Sequence, residues 1–76
     1  MEYKKICNIV EKVFKLESGS TNENTKSADI PEWDSLGHFL LIDYLDENFD
    51  EITKKKKDLA IATSIKDLYE SGLKDL

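Results

Sequence analysis

The stretch Trp33-Asp34-Ser35-Leu36-Gly37-His38-Phe39-Leu40-Leu41-Ile42-Asp43-Tyr44-Leu45-Asp46-Glu47-Asn48-Phe49 decides the fold class. Within it a polar loop gives way to a dense apolar pattern. Asp34 suits a helix N-cap, because a carboxylate there accepts from first-turn amides and faces the positive end of the helix dipole. A helix is therefore expected from Asp34 or Ser35 to Asn48 or Phe49. On a helical wheel Phe39, Leu41, Ile42, Leu45 and Phe49 share one arc, the expected core face. The opposite arc holds Leu36, Leu40, Asp43, Tyr44 and Glu47. Leu36, Leu40 and Tyr44 stand at i, i+4 and i+8 on that arc and form a second apolar ridge, expected to face outward.

Upstream, Tyr3, Ile6, Val10, Val13 and Phe14 recur at helical spacing with Cys7 on the same side, which predicts a helix from about Glu2 to Leu16. Glu11 and Lys12 are expected to face away from the core, and Glu17-Ser18-Gly19 to end the helix, since glycine accepts the left-handed conformation. A long polar loop, Ser18 to Glu32, follows. Its Ser, Thr, Asn and Asp side chains bond locally to backbone and favour turns and caps. Ile30 and Trp33 are expected to pin its far end, and Pro31 disfavours helix at Ile30.

Downstream, Lys54-Lys55-Lys56-Lys57 leads into Asp58-Leu59-Ala60-Ile61-Ala62, and a short helix ending near Ala60 or Ile61 is expected there. Thr63-Ser64 offers an N-cap, and Asp67 three residues after Ser64 resembles a capping box with Asp in place of Glu. Ile65, Leu68 and Tyr69 should face the core, with Ser71-Gly72 ending the last helix. Nothing in the chain alternates with a strand period. The expected fold is all-α: a small bundle of three main helices plus a short third helix, with residues 1–76 as a single domain.

Composition narrows the partners. The chain has 76 residues and a formal net charge of −5, which repels phosphate backbones and anionic membranes and attracts basic protein surfaces. Nucleic acid is not an expected partner, and neither is insertion into a membrane, since no stretch is long and apolar enough to span one. Cytoplasm is the default location in the absence of a signal-type apolar region. One cysteine, Cys7, excludes an internal disulfide, and Cys7 reads as a small core residue. One Cys and one His make no structural zinc site, and no EF-hand spacing or glycine-rich phosphate loop is present.

Chemistry concentrates at Asp34-Ser35-Leu36. A serine in the first turn of a helix that follows a surface loop is expected to be exposed, and a phosphate ester there would sit in the favourable field of the helix N-terminus. A Ser35–His38 dyad with Asp34 lacks an oxyanion hole and a pocket, so hydrolytic chemistry is not expected and no catalytic residue is assigned.

These residues resemble the Asp-Ser-Leu signature of acyl and peptidyl carrier proteins, and the resemblance runs over nearly the whole chain. Helix, long loop, Asp34-Ser35-Leu36, an amphipathic helix ending in acids and Phe49, a short helix, and a Ser/Thr-capped last helix follow in that family's order. The resemblance implies an acyl-carrier-type bundle whose Ser35 receives a covalent 4′-phosphopantetheine from a phosphopantetheinyl transferase. It implies a freestanding, monomeric carrier that catalyses nothing and presents thioester cargo to acyl- or aminoacyl-loading and processing enzymes. Asp34 would cap the helix and help the transferase; Leu36, Leu40, Asp43, Tyr44, Asp46 and Glu47 would form the docking face. Where the family often has an acid, this chain has Gly37 and Leu40; where it often has a methionine, Asp43; and its third-helix region is lysine-rich rather than acidic. Those departures point toward a specialised pathway, with fatty acyl, hydroxyacyl, peptidyl or aminoacyl cargo such as D-alanine. A helical interaction domain without a prosthetic group, docking through Leu36, Leu40 and Tyr44, is the alternative.

Overall fold

A computed structural model describes residues 1–76 and contains four α-helices: α1 Tyr3–Val13, α2 Ser35–Asn48, α3 Ile52–Lys55 and α4 Ile65–Ser71. Three 3₁₀ turns intervene or follow, at Ser27–Asp29, Lys57–Ile61 and Leu73–Asp75. The protein is thus a small helical bundle. It has no strand, and a single isolated bridge joins Lys26 to Ser64. No helix is long and apolar enough to cross a membrane.

Helix α1 buries Ile6, Cys7, Ile9 and Val10, while Phe14 is buried just past its end. It stops at Val13, short of the expected Leu16. Lys15 takes the left-handed conformation at φ 56°, Leu16 N–H reaches back to Glu11 C=O at 2.8 Å, and Lys15 N–H reaches Lys12 C=O at 3.4 Å. That is the Schellman ending, built without glycine at the left-handed position. Helix α2 ends the same way: Asp50 is left-handed at φ 56° and Glu51 N–H bonds Asp46 C=O at 3.0 Å. Gly19, the expected stop, is left-handed too, but it lies in the loop beyond.

Glu11 corrects the sequence expectation. It does not face solvent; only 5% of its surface is exposed. One carboxylate oxygen accepts from Gly19 N–H at 3.1 Å, and the other from Thr21 N–H at 3.0 Å and Thr21 Oγ1–H at 2.6 Å. The loop folds back over α1, and its otherwise orphaned donors need an acceptor at that place. Burial disfavours the charged carboxylate, but the bonds from Thr21 and Gly19 outweigh it and hold the group below its ordinary pKa.

The far end of the loop is tied down elsewhere. Ser27 N–H donates to Thr63 C=O at 2.8 Å, and Ile65 N–H donates to Thr25 C=O at 3.0 Å, so the loop is stitched to the start of α4. Ile30 and Trp33 are buried, as expected. Ser64 caps α4, accepting from Asp67 N–H at 2.9 Å. The reciprocal bond runs from Thr63, whose N–H and hydroxyl both donate to Asp67 rather than Ser64 doing so. Ile65 and Leu68 are fully buried, Tyr69 is half-buried and stacks on Tyr3 at 4.3 Å, and Gly72 caps the helix end.

The orientation of α2 follows the wheel except at Phe39 and Tyr44. Leu41 and Leu45 are buried in the core and Ile42 and Phe49 are partly buried, but Phe39 is 63% exposed. Tyr44, expected on the outward ridge, is half-buried against the core, with Lys12 Nζ 5.7 Å from its ring centroid. The reason is Gly37. A Cβ there would collide with the Glu32 carbonyl and stand 3.1 Å from the Phe14 ring. The missing side chain lets α2 press its Gly37–Leu41–Leu45 line against the rest of the bundle. Positions 36, 39, 40, 43 and 47 then face outward. Because α2 carries apolar residues on both arcs, hydrophobicity alone did not choose between them.

The segment after α2 breaks into α3 and the 3₁₀ turn ending at Ile61, where a single short helix was expected. Three of its four lysines are paired: Lys54 with Glu51 at 3.0 Å, Lys55 with Asp50 at 3.7 Å and Lys56 with Asp75 at 2.9 Å. Such exposed pairs add little stability, and they leave the run with less net charge than its sequence suggests.

Candidate functional site

Asp34 is the N-cap of α2, and its Oδ1 accepts from Gly37 N–H at 2.8 Å. His38 N–H closes the first turn on Asp34 C=O at 2.8 Å. The amides of Ser35 and Leu36 have no partner in the chain and mark the open end of the helix. Ser35 is the first helical residue and is exposed; its hydroxyl makes no hydrogen bond within the protein. It therefore stands free at a helix N-terminus, where an attached anionic group is favoured.

Beside Ser35 runs an open groove of about 470 Å³ between the start of α2 and the 3₁₀ turn Lys57–Ile61. Trp33, Ser35 and His38 line one side, and Ala60, Ile61 and Thr63 line the other. The lining mixes the hydroxyls of Ser27, Ser35 and Thr63 with the Asp34 carboxylate, the Trp33 and His38 rings and the apolar Ala60, Ile61 and Ala62.

Four of the five large exposed apolar residues are Leu36 at 69%, Phe39 at 63% and Leu40 at 54% on α2, and Ile61 at 75% on the far wall of the groove. Leu36, Phe39 and Leu40 lie at i, i+3 and i+4 on α2, so they form one continuous edge. Asp43 and Glu47 extend that edge as exposed acids. Asp46 does not join them: its carboxylate accepts from Thr53 N–H at 2.9 Å and from Thr53 Oγ1 at 2.7 Å, tying α2 to α3. Tyr44 likewise is engaged with the core rather than the outer edge.

Of the residues singled out in the sequence, Asp34, Ser35, Leu36, Leu40, Asp43 and Glu47 share this end or face of α2. Phe39 and Ile61 are additions. Phe39 was legible as the i+3 neighbour of Leu36, but its apolar character had assigned it to the core. Ile61 had no such signal, since only the fold brings it across the groove from Ser35. His38 is not bonded to Ser35: its Nδ1 accepts from Trp33 Nε1–H at 2.9 Å and its Nε2 bonds Leu59 C=O at 2.9 Å. The Ser35–His38–Asp34 dyad weighed from the sequence is therefore not assembled. Comparison with known proteins finds no matching family model, no similar curated protein and no similar solved structure.

Proposed function

We propose that this chain is a carrier protein of the acyl-carrier type, modified on Ser35 with 4′-phosphopantetheine. The observation that carries the reading is the exposed, unbonded Ser35 hydroxyl at the capped N-terminus of a long helix, next to a groove. The residues present fit that group. The free amides of Ser35 and Leu36 suit its phosphate, and the Ser27, Thr63, Ala60 and Ile61 lining suits a chain of amides and methylenes. When attached, such an arm supplies a terminal thiol that holds acyl groups as thioesters.

The chain's own residues then bind and present. Asp34 holds the first turn closed, so the Ser35 side chain projects from a rigid base. Leu36, Phe39, Leu40 and Ile61 offer an apolar contact for a transferase or a processing enzyme, and Asp43 and Glu47 steer a basic partner toward it. Tethering cargo beside that face raises its effective concentration in a docked active site. The acids that remain outward on α2 are Asp43 and Glu47 alone, with Asp46 committed to Thr53. This sparse acidity favours partners of a specialised pathway, with aminoacyl or short acyl cargo ahead of long fatty acyl chains.

The test is incubation with coenzyme A, Mg²⁺ and a broad-specificity phosphopantetheinyl transferase, read by intact mass. Addition of one arm, abolished in Ser35→Ala, is the expected result. A chain left unmodified by a transferase that modifies a control carrier would reject it. The second reading, an interaction domain without a prosthetic group, is favoured by the same exposed apolar edge. It predicts partner binding that is unchanged by Ser35→Ala.

A further inference from the structure

A three-part link crosses the floor of the Ser35 groove. The indole N–H of Trp33 donates to His38 Nδ1 at 2.9 Å, and His38 Nε2 lies 2.9 Å from the Leu59 carbonyl oxygen. An indole can only donate and a carbonyl can only accept, so the imidazole between them is the neutral Nε2–H tautomer. Trp33 is 4% exposed, with its ring centroid 5.7 Å from that of Phe14, and the Trp33 and His38 planes lie within 9° of each other. One end of the link is thus anchored in the core. The other end is the 3₁₀ turn Lys57–Ile61, which continues into the opposite wall of the groove.

That turn packs into the core through Leu59, which is fully buried. Beside the bonds internal to the 3₁₀ turn, its ends are held by Leu59 N–H to Lys56 C=O at 3.1 Å and Ala62 N–H to Leu59 C=O at 3.3 Å. The His38 bond is the only hydrogen bond joining α2 to the turn. His38 sits one helical turn after Ser35, and Ala60 to Thr63 follow directly on Leu59. The spacing between the serine and the far wall is therefore set by this ring together with the packing of Leu59.

We propose that His38 is a positioning residue: a strut of fixed tautomer that sets the width of the groove and so the presentation of the Ser35 side chain to the modifying enzyme. This deepens the carrier reading and rests on it. His38 takes no proton from Ser35, because both ring nitrogens are committed. Its loss should impair recognition of the surface rather than the reactivity of the hydroxyl.

The experiment compares His38→Leu with His38→Gln. Leucine fills the space but leaves the Trp33 N–H and the Leu59 carbonyl without this partner. A glutamine amide has an acceptor and a donor spaced much like the two ring nitrogens and can bridge both. For arm transfer from coenzyme A, His38→Leu should raise the KM for the carrier about fivefold or more with kcat nearly unchanged, and His38→Gln should restore most of it. In NMR the indole N–H of Trp33, the sole tryptophan, should exchange slowly in the wild type and His38→Gln and quickly in His38→Leu. Wild-type KM in a folded His38→Leu overturns the proposal, and so does a His38→Gln as impaired as His38→Leu. If the wild type itself takes no arm, the carrier reading fails and the strut is judged by amide exchange. Faster exchange at Leu59 and Ala62 in His38→Leu supports it, and unchanged exchange overturns it. Should His38→Leu not fold, Trp33→Phe removes the indole donor while keeping an aromatic ring there, and the KM and the Leu59 and Ala62 amide exchange are read in the same way.

Discussion

The two ends of the long loop are fastened by opposite means. At its near end a buried carboxylate, Glu11, collects the Gly19 and Thr21 donors. At its far end neutral groups do the work: Trp33 and Ile30 bury apolar surface, Gly37 lets the Glu32 carbonyl lie against α2, and the indole meets a neutral imidazole. A charged anchor makes one end sensitive to acid and consumes its polar chemistry internally. A neutral anchor leaves Asp34, Ser35 and Leu36 free to face solvent. The comparison teaches that the reactive-looking end of the loop is the one whose fastening needs no charge.

The largest expected effect tests the far end. In Gly37→Ala the new methyl meets a backbone carbonyl that cannot swing aside, and the cost should be about 3 kcal/mol. Chemical denaturation would show it, and a loss below about 1 kcal/mol would mean that α2 shifts easily.

The near end should respond less to mutation and more to pH. Glu11→Gln keeps the shape but gives up the charge and one acceptor, for roughly 2 kcal/mol at neutral pH. The Glu11 pKa is lower in the folded chain than in the unfolded one. Its stabilisation is therefore fully present above the unfolded value and is lost as pH falls through the folded value. Melting temperature against pH should drop in acid for the wild type and drop less for Glu11→Gln. Parallel curves would remove Glu11 as the acid-sensitive anchor.

A smaller change, in the stabilising direction, is expected at Lys15. Its left-handed backbone at φ 56° strains a residue with a Cβ, and Lys15→Gly should gain about 1 kcal/mol in thermal or denaturant unfolding. The smallest effect on stability belongs to the exposed edge. Phe39→Ser should change unfolding free energy by less than about 0.5 kcal/mol. The same variant should weaken binding of a partner that docks on α2, measured by calorimetry or crosslinking. A large stability loss would instead return Phe39 to the core, where the wheel had placed it.

Much of this architecture was written locally. Asp34 and Ser64 are caps because of their own side chains, and Tyr3 to Val13 forms a helix because its apolar residues recur at the helical period. The Asp34-Ser35-Leu36 junction was legible for the same reason, since caps act within one turn. Less legible was the splitting of the lysine segment into α3 and a 3₁₀ turn, because neither piece is long enough to show a period.

By itself, then, the amino-acid sequence determined where the main helices begin, the order of elements, and the placing of one serine at a helix start. Only the tertiary structure decided that α2 turns Phe39 outward and Tyr44 inward, that Glu11 turns inward, that Ile61 lies across the groove from Ser35, and that His38 bonds Trp33 and Leu59. Caps and periodicity act between residues close in the chain and can be read there. The fine rotation of a helix with apolar residues on both arcs, and the partners of a buried acid or an imidazole, depend on groups distant in sequence that meet only when the bundle closes.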